Sequence, residues 1–100
     1  ALQGKYLKNG LLELQKSHEC MGDVRGLGLM IAVELVRDRA GKKPDKAVRD
    51  KIIQNSFHKG LLLLGCGENS IRFCPALTVN SEEIDTCLAI FEEAVKEATG

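Results

Sequence analysis

The chain has 100 residues, which allows one domain burying roughly two-thirds of its unfolded surface. Fourteen basic and fourteen acidic side chains cancel without a basic cluster, which excludes the electrostatic footprint of a nucleic-acid or anionic-lipid binder. No apolar run approaches the length of a membrane span and no signal peptide is visible, so the expected location is cytoplasmic.

The first predicted element is an amphipathic helix from Ala1 to about Glu19, with Leu7, Leu11, Leu14 and His18 on one face. Gly4 and Gly10 each cost such a helix roughly 1 kcal/mol relative to Ala, so a packing reason is expected for them. No cap precedes the helix and the first residue is not Met. A helix without a beginning suggests a piece of something longer; a processed or recloned terminus is the alternative. His18 near the helix end suits the dipole there, a structural rather than catalytic role.

Val24 is a short strand candidate, and Gly26 and Gly28 suggest a bend or a close backbone approach. Leu29, Ile31, Val33 and Leu35 then alternate with Met30, Ala32 and Glu34, which predicts a strand with one apolar face. A charged loop, Asp38 to Pro44, leads into a second helix opened by Pro44-Asp45 and striped by Val48, Ile52, Ile53 and Phe57. Gly60 falls where a left-handed helix cap belongs. Two apolar runs follow, Leu61 to Leu64 and Ile71 to Cys74, separated by the turn cluster Gly65 to Ser70 and stopped by Pro75. The last helix carries an N-cap at Asn80, a capping-box Glu83 and a staple of Val79 with Ile84. Its buried face is Ile84, Leu88, Phe91 and Val95, with Cys87 and Ala94 beside it. The order of elements reads as α+β: a small antiparallel sheet with helices packed on one face.

The chemistry-bearing residues are sparse. Cys20, Cys66, Cys74 and Cys87 form no CxxC spacing, so free core cysteines are expected over a zinc site or a Cys66–Cys74 bridge across the hairpin. Gly65 to Ser70 is glycine-rich but leads into a strand, so the helix N-terminus that would hold a phosphate is missing. No serine, histidine and carboxylate arrangement stands out. The lysines all lie in polar or helix-surface contexts, unlike the desolvated setting of a Schiff-base lysine. Arg72 alone breaks the pattern of a plain core, standing between Ile71 and Phe73. A guanidinium is costly to desolvate unpaired, so Arg72 points to the outer face, pairs with a local acid such as Glu34 or Glu68, or waits for a carboxylate from elsewhere.

Two stretches carry a family likeness. Asp23-Val24-Arg25-Gly26-Leu27-Gly28-Leu29-Met30, followed by Glu34, resembles the segment RGxGLM…E of class III (fold type I) pyridoxal-phosphate aminotransferases. Lys59-Gly60-Leu61-Leu62-Leu63-Leu64, then Asn69-Ser70-Ile71-Arg72-Phe73-Cys74-Pro75-Ala76-Leu77, is similar to the closing segment of that family, as is the helix opening at Asn80 to Asp85. The likeness runs through the whole chain and covers only the C-terminal small domain of such an enzyme. Residues 1–100 are therefore expected to be that single domain, with the large cofactor-binding domain absent.

The resemblance implies a transaminase of the 4-aminobutyrate, acetylornithine or ornithine type. It would use pyridoxal 5′-phosphate, take an amino acid or amine and a 2-oxo acid as substrates, and work as a homodimer. Arg72 matches the family arginine that receives the substrate carboxylate, or that pairs with a large-domain glutamate when no such carboxylate is present. Arg25 and its neighbouring glycines would be architectural. The Schiff-base lysine and phosphate-binding residues would lie in the large domain, leaving this chain inactive alone. Ala76 departs from the motif, standing where a second proline often appears, which leaves substrate preference open. Two alternatives stay open: a racemase or epimerase of the same family, and a free-standing α+β module that binds a small carboxylate through Arg72.

Overall fold

A computed structural model describes residues 2–27, 30–37, 41, 43–73 and 81–99. The elements run α1 (Leu2–Ser17), β1 (Met21–Leu27), β2 (Met30–Leu35), α2 (Lys46–His58), β3 (Leu64–Cys66), β4 (Ser70–Phe73) and α3 (Ser81–Thr99). The strands form one antiparallel sheet in the order β1-β2-β4-β3. The fold is α+β, in the element order that the sequence predicts.

Period-two patterning decides which side of the sheet is covered. On β2, Ile31, Val33 and Leu35 are buried while Ala32 and Glu34 are only half-buried. On β4, Ile71 and Phe73 point the same way into the core. That face meets Leu7 and Leu11 of α1, Ile52 of α2, and Ile84, Phe91 and Val95 of α3. α1 lies against β1, α2 against β3 and β4, and α3 packs on both helices. Phe91 reaches through to Phe73, with ring centroids 5.1 Å apart at 72°. Such an edge-to-face pair adds about 0.5–1.5 kcal/mol beyond its buried area.

The helix ends follow their local chemistry. Asp45 caps α2, its Oδ1 accepting from the Val48 N–H at 3.1 Å. At the other end Gly60 takes φ 94°, donating to the Phe57 carbonyl at 3.0 Å, while Leu61 donates to Ser56 at 2.8 Å. This is the paired hydrogen-bond closure that favours glycine after a helix. Gly10 has the packing reason expected of it: Leu88 of α3 occupies the space a Cβ would need, so α1 and α3 approach closely.

Three details differ from the sequence reading. The short strand around Val24 is a full strand, because β1 pairs with β2 from Met21 to Leu27 and carries Gly26 within it at φ 146°. The run Leu61 to Leu64 contributes only Leu64 to β3, since the Leu61 N–H is already used to close α2. Phe57 is not part of the buried stripe and is 64% exposed; α2 turns Arg49, Ile52 and Ser56 inward instead. In agreement with the reading of free cysteines, Cys20, Cys66 and Cys87 are free, and Cys66 lies opposite Ser70 across the hairpin. The cap and staple at Asn80 and Val79, and Cys74, lie outside the described residues. His18 follows α1 and sits 3.1 Å from Glu92 of α3, with its side chain 12% exposed.

Tyr6 ties α1 to α3 at the surface, its hydroxyl donating to Asp85 Oδ1 at 2.8 Å. That hydrogen bond, then desolvation and the negative charge of Asp85, hold the phenol above its ordinary value of 10.0. The tie is present below the unfolded value and is lost as pH rises through the raised one. Tyr6 is the only tyrosine. Tyrosinate absorbance should therefore give one midpoint above 10.0, and Asp85→Ala should bring it down. A midpoint that ignores Asp85→Ala would remove the interaction.

Candidate functional site

Arg72 lies inside β4 between two anchored neighbours. Ile71 and Phe73 are buried, so the strand's alternation sends the Arg72 side chain to the opposite, outer face, where it is exposed. In register, Arg72 faces Ala32 on β2 and Leu64 on β3, and Ala32 in turn faces Arg25 on β1. The row across the outer face is therefore Arg25, Ala32, Arg72, Leu64. The next row is Asp23, Glu34, Ser70, Cys66. Among the described residues no helix covers this face, and Leu64 is 53% exposed beside the guanidinium.

The local acids are engaged elsewhere. Arg25 Nη1 donates to Asp23 Oδ2 at 3.0 Å and to Glu34 Oε2 at 3.3 Å. The bond to Asp23 first, and that to Glu34 second, raise the Arg25 pKa above its already high ordinary value. Glu34 is thus held by Arg25, and Glu68 sits exposed in the hairpin turn. Arg72 makes no ion pair among the described residues, with Glu34, Glu68 or any other acid. A desolvated carboxylate pair is therefore not formed within the described part of this chain. What remains is a permanently charged, planar fork on a firmly held strand, suited to gripping a carboxylate through two parallel hydrogen bonds.

Two residues that the sequence reading passed over hold the hairpin carrying Arg72. Asn69 is buried, donating from Nδ2 to the Leu35 carbonyl at 2.7 Å, while its own carbonyl accepts from the Leu35 N–H at 2.9 Å. Arg49 of α2 is only 5% exposed. Its Nη1 donates to the Ser70 carbonyl at 2.9 Å and the Cys66 carbonyl at 3.4 Å, and its Nε to Asp50 Oδ1 at 2.7 Å. Gly65 makes room for this guanidinium, since a Cβ there would lie 2.9 Å from Nη1. The spacing Arg49, Ile52, Ser56 was the available signal, because it puts the arginine on the face that Ile52 buries. Between the two anchors the turn reverses at Gly67, with φ 61°, a conformation glycine adopts without strain.

The described lysines lie at or near the surface. Lys8 is half-buried and donates to the Gly26 carbonyl at 3.3 Å, and the remaining described lysines are exposed. That exposure contrasts with the buried setting expected of a Schiff-base lysine.

Residues 1–95 match the family model of the class-III aminotransferases. The chain belongs to that family. It is 41% identical over 97 residues to the 4-aminobutyrate aminotransferase GabT of Escherichia coli (strain K12), covering 95% of this chain and 23% of that protein. It is 36% identical over 94 residues to the isoleucine 2-epimerase of Lentilactobacillus buchneri, covering 94% of this chain and 21% of that protein. Among solved structures, an aminotransferase of Bacillus anthracis superposes with a TM-score of 0.91 at 30% identity, covering 97% of this chain and 23% of that one. An omega transaminase from Pseudomonas jessenii, solved in complex with PMP, gives 0.90 at 31%, covering 99% of this chain and 22% of that one. This class-III aminotransferase chain thus spans less than a quarter of the length of these relatives.

The Asn69 anchor generates a stability prediction. Asn69→Ala removes a buried hydrogen bond and should cost about 1–3 kcal/mol. Amide exchange at Leu35 and along β4 should accelerate together. Unchanged exchange there would show that the side chain does not hold the hairpin.

Proposed function

We propose that this chain is the small C-terminal domain of a longer transaminase of the 4-aminobutyrate, acetylornithine or ornithine type, and that Arg72 receives the substrate carboxylate. The observation that carries this reading is the outward-facing Arg72, held between buried Ile71 and Phe73 with the neighbouring acids of its face engaged by Arg25. The long overlap with 4-aminobutyrate and acetylornithine aminotransferases supports the reaction class. Ala32 and exposed Leu64 flank Arg72, so the face around it has little polar demand of its own. The large domain of the same enzyme would cover this face and exclude water from the guanidinium.

In that setting the roles divide simply. Pyridoxal phosphate, held by the part of the enzyme outside this chain, supplies the electron-withdrawing ring that makes the substrate carbon acidic. Arg72 binds the carboxylate through two hydrogen bonds and fixes the distance and rotation of the reacting amine. Arg25 keeps Glu34 and Asp23 turned away, so that no carboxylate of this face competes for Arg72. A partner 2-oxo acid would use the same arginine, and the working enzyme would be a homodimer, as the family resemblance implies. On this reading the chain alone has no activity.

A second reading has a specific support. The isoleucine 2-epimerase and an alanine/serine racemase of Pyrococcus horikoshii (strain ATCC 700860 / DSM 12428 / JCM 9974 / NBRC 100139 / OT-3) match this chain at 36% and 38% identity. A carboxylate-binding arginine serves both reaction types equally, because the fate of the acidified carbon is decided by groups elsewhere.

Two experiments test the proposal. In the full-length enzyme, Arg72→Lys should lower kcat/KM for carboxylate-bearing amines by roughly 10- to 100-fold, the range of a charge-assisted hydrogen bond of about 1.5–3 kcal/mol. Amines without a carboxylate should be little affected, and equal kinetics on both substrate types would end the assignment. The isolated chain mixed with pyridoxal phosphate should show no stoichiometric cofactor absorbance band and no turnover; either one would overturn the division of labour.

A further inference from the structure

We infer that Arg49 is a positioning residue for substrate recognition, clamping the β3–β4 hairpin so that Arg72 stands at a fixed height on the outer face. The inference rests on the reading of Arg72 as the carboxylate-binding group. Arg49 is a second arginine, on the other side of the sheet, and no sequence motif drew attention to it.

The geometry links the two. Arg49 is buried under the hairpin, and its Nη1 reaches both carbonyls that flank the turn, Ser70 at 2.9 Å and Cys66 at 3.4 Å. Ser70 begins β4, and Arg72 follows it by two residues on the same strand. A slide or tilt of the hairpin relative to α2 therefore carries Arg72 with it. Asp50 Oδ1 accepts from Nε at 2.7 Å, which neutralises the buried charge and fixes the plane of the fork. On the far side, Asn69 ties the same turn to Leu35 of β2. The hairpin is pinned from below by the Arg49 side chain of α2 and from the side by the Asn69 amide to β2, and of the two only Arg49 spans the two ends of the turn.

A burial-only role explains less. Arginine is an expensive choice for filling space beneath a hairpin, since its charge must be matched and its donors satisfied. Here two donor positions are spent on backbone carbonyls at the two ends of one turn, and Gly65 leaves the room they need: a Cβ would come 2.9 Å from Nη1 and 3.3 Å from Cζ. Displacing a binding group by about 1 Å costs an enzyme on the order of 100-fold in rate, so a clamp of this kind is felt in recognition.

The test uses the full-length enzyme with two amine donors, one bearing a carboxylate and one without. Arg49→Met keeps the packed stem and removes the donors. Gly65→Ala pushes the guanidinium aside while leaving it charged. Each should raise KM for the carboxylate-bearing donor about tenfold and lower its kcat as well, while both constants of the other donor stay within about twofold. Arg49→Lys, which restores the charge and an ammonium donor but not the planar fork, should recover part of the loss. If Arg49→Met does not fold, Gly65→Ala and Arg49→Lys carry the same comparison. A parallel rise of both KM values, or a lower melting temperature with the KM ratio intact, overturns the positioning role. Arg72→Leu is the separating control. If it leaves the preference for the carboxylate-bearing donor intact, the reading of Arg72 fails and the clamp with it. If it abolishes the preference while the Arg49 and Gly65 variants keep it, only the role of Arg49 is lost.

Discussion

A charged fork on a strand that is greasy on its other face is the constraint around which this domain is arranged. Ile71 and Phe73 must be buried, and the two-residue period of a strand then forces Arg72 outward. The core that anchors those neighbours draws on all three helices, through Leu7, Ile52 and Phe91 in particular. Every helix contact with the inner face therefore also steadies the outer one. The sheet works as a plate: hydrophobic packing beneath, charge presentation above.

The charges on the upper side are sorted. Arg25, Asp23 and Glu34 neutralise one another over the β1–β2 side of the sheet. Such exposed pairs contribute little to stability, on the order of 0–1 kcal/mol. Their consequence here is different: they use up the acids of the face. Arg72, toward the β4–β3 side, has no ion pair among the described residues. The family match shows a class-III aminotransferase segment. On the proposed reading, Arg72 would be the carboxylate receptor of that enzyme.

Much of the fold was readable from the amino-acid pattern. The alternation from Ile31 to Leu35, the cap at Asp45 and the closure at Gly60 are short-range signals, each carried by a few neighbouring residues and a local hydrogen bond. The less legible features depend on contacts distant in sequence. The strand through Gly26 exists because β2 pairs with it, and Phe57 is exposed because α2 turns Arg49, Ile52 and Ser56 inward instead. The spacing of Arg49 with Ile52 puts it on the buried face of α2, but its partners, two hairpin carbonyls beside Gly65, are set by contacts distant in sequence. The outward direction of Arg72 followed from its neighbours, but the engagement of Glu34 by Arg25 did not, since pairing across two strands is a matter of register.

The central claim is that Arg72 exists to hold an acid group that comes from beyond these residues. The most direct measurement is a crystal structure of the full-length enzyme with pyridoxal phosphate and a carboxylate-bearing substrate analogue. The account predicts the analogue's carboxylate lying in the plane of the Arg72 guanidinium, with two N–O distances of about 2.7–2.9 Å. An Arg72 side chain still surrounded by water, with the carboxylate held by another residue, would contradict it.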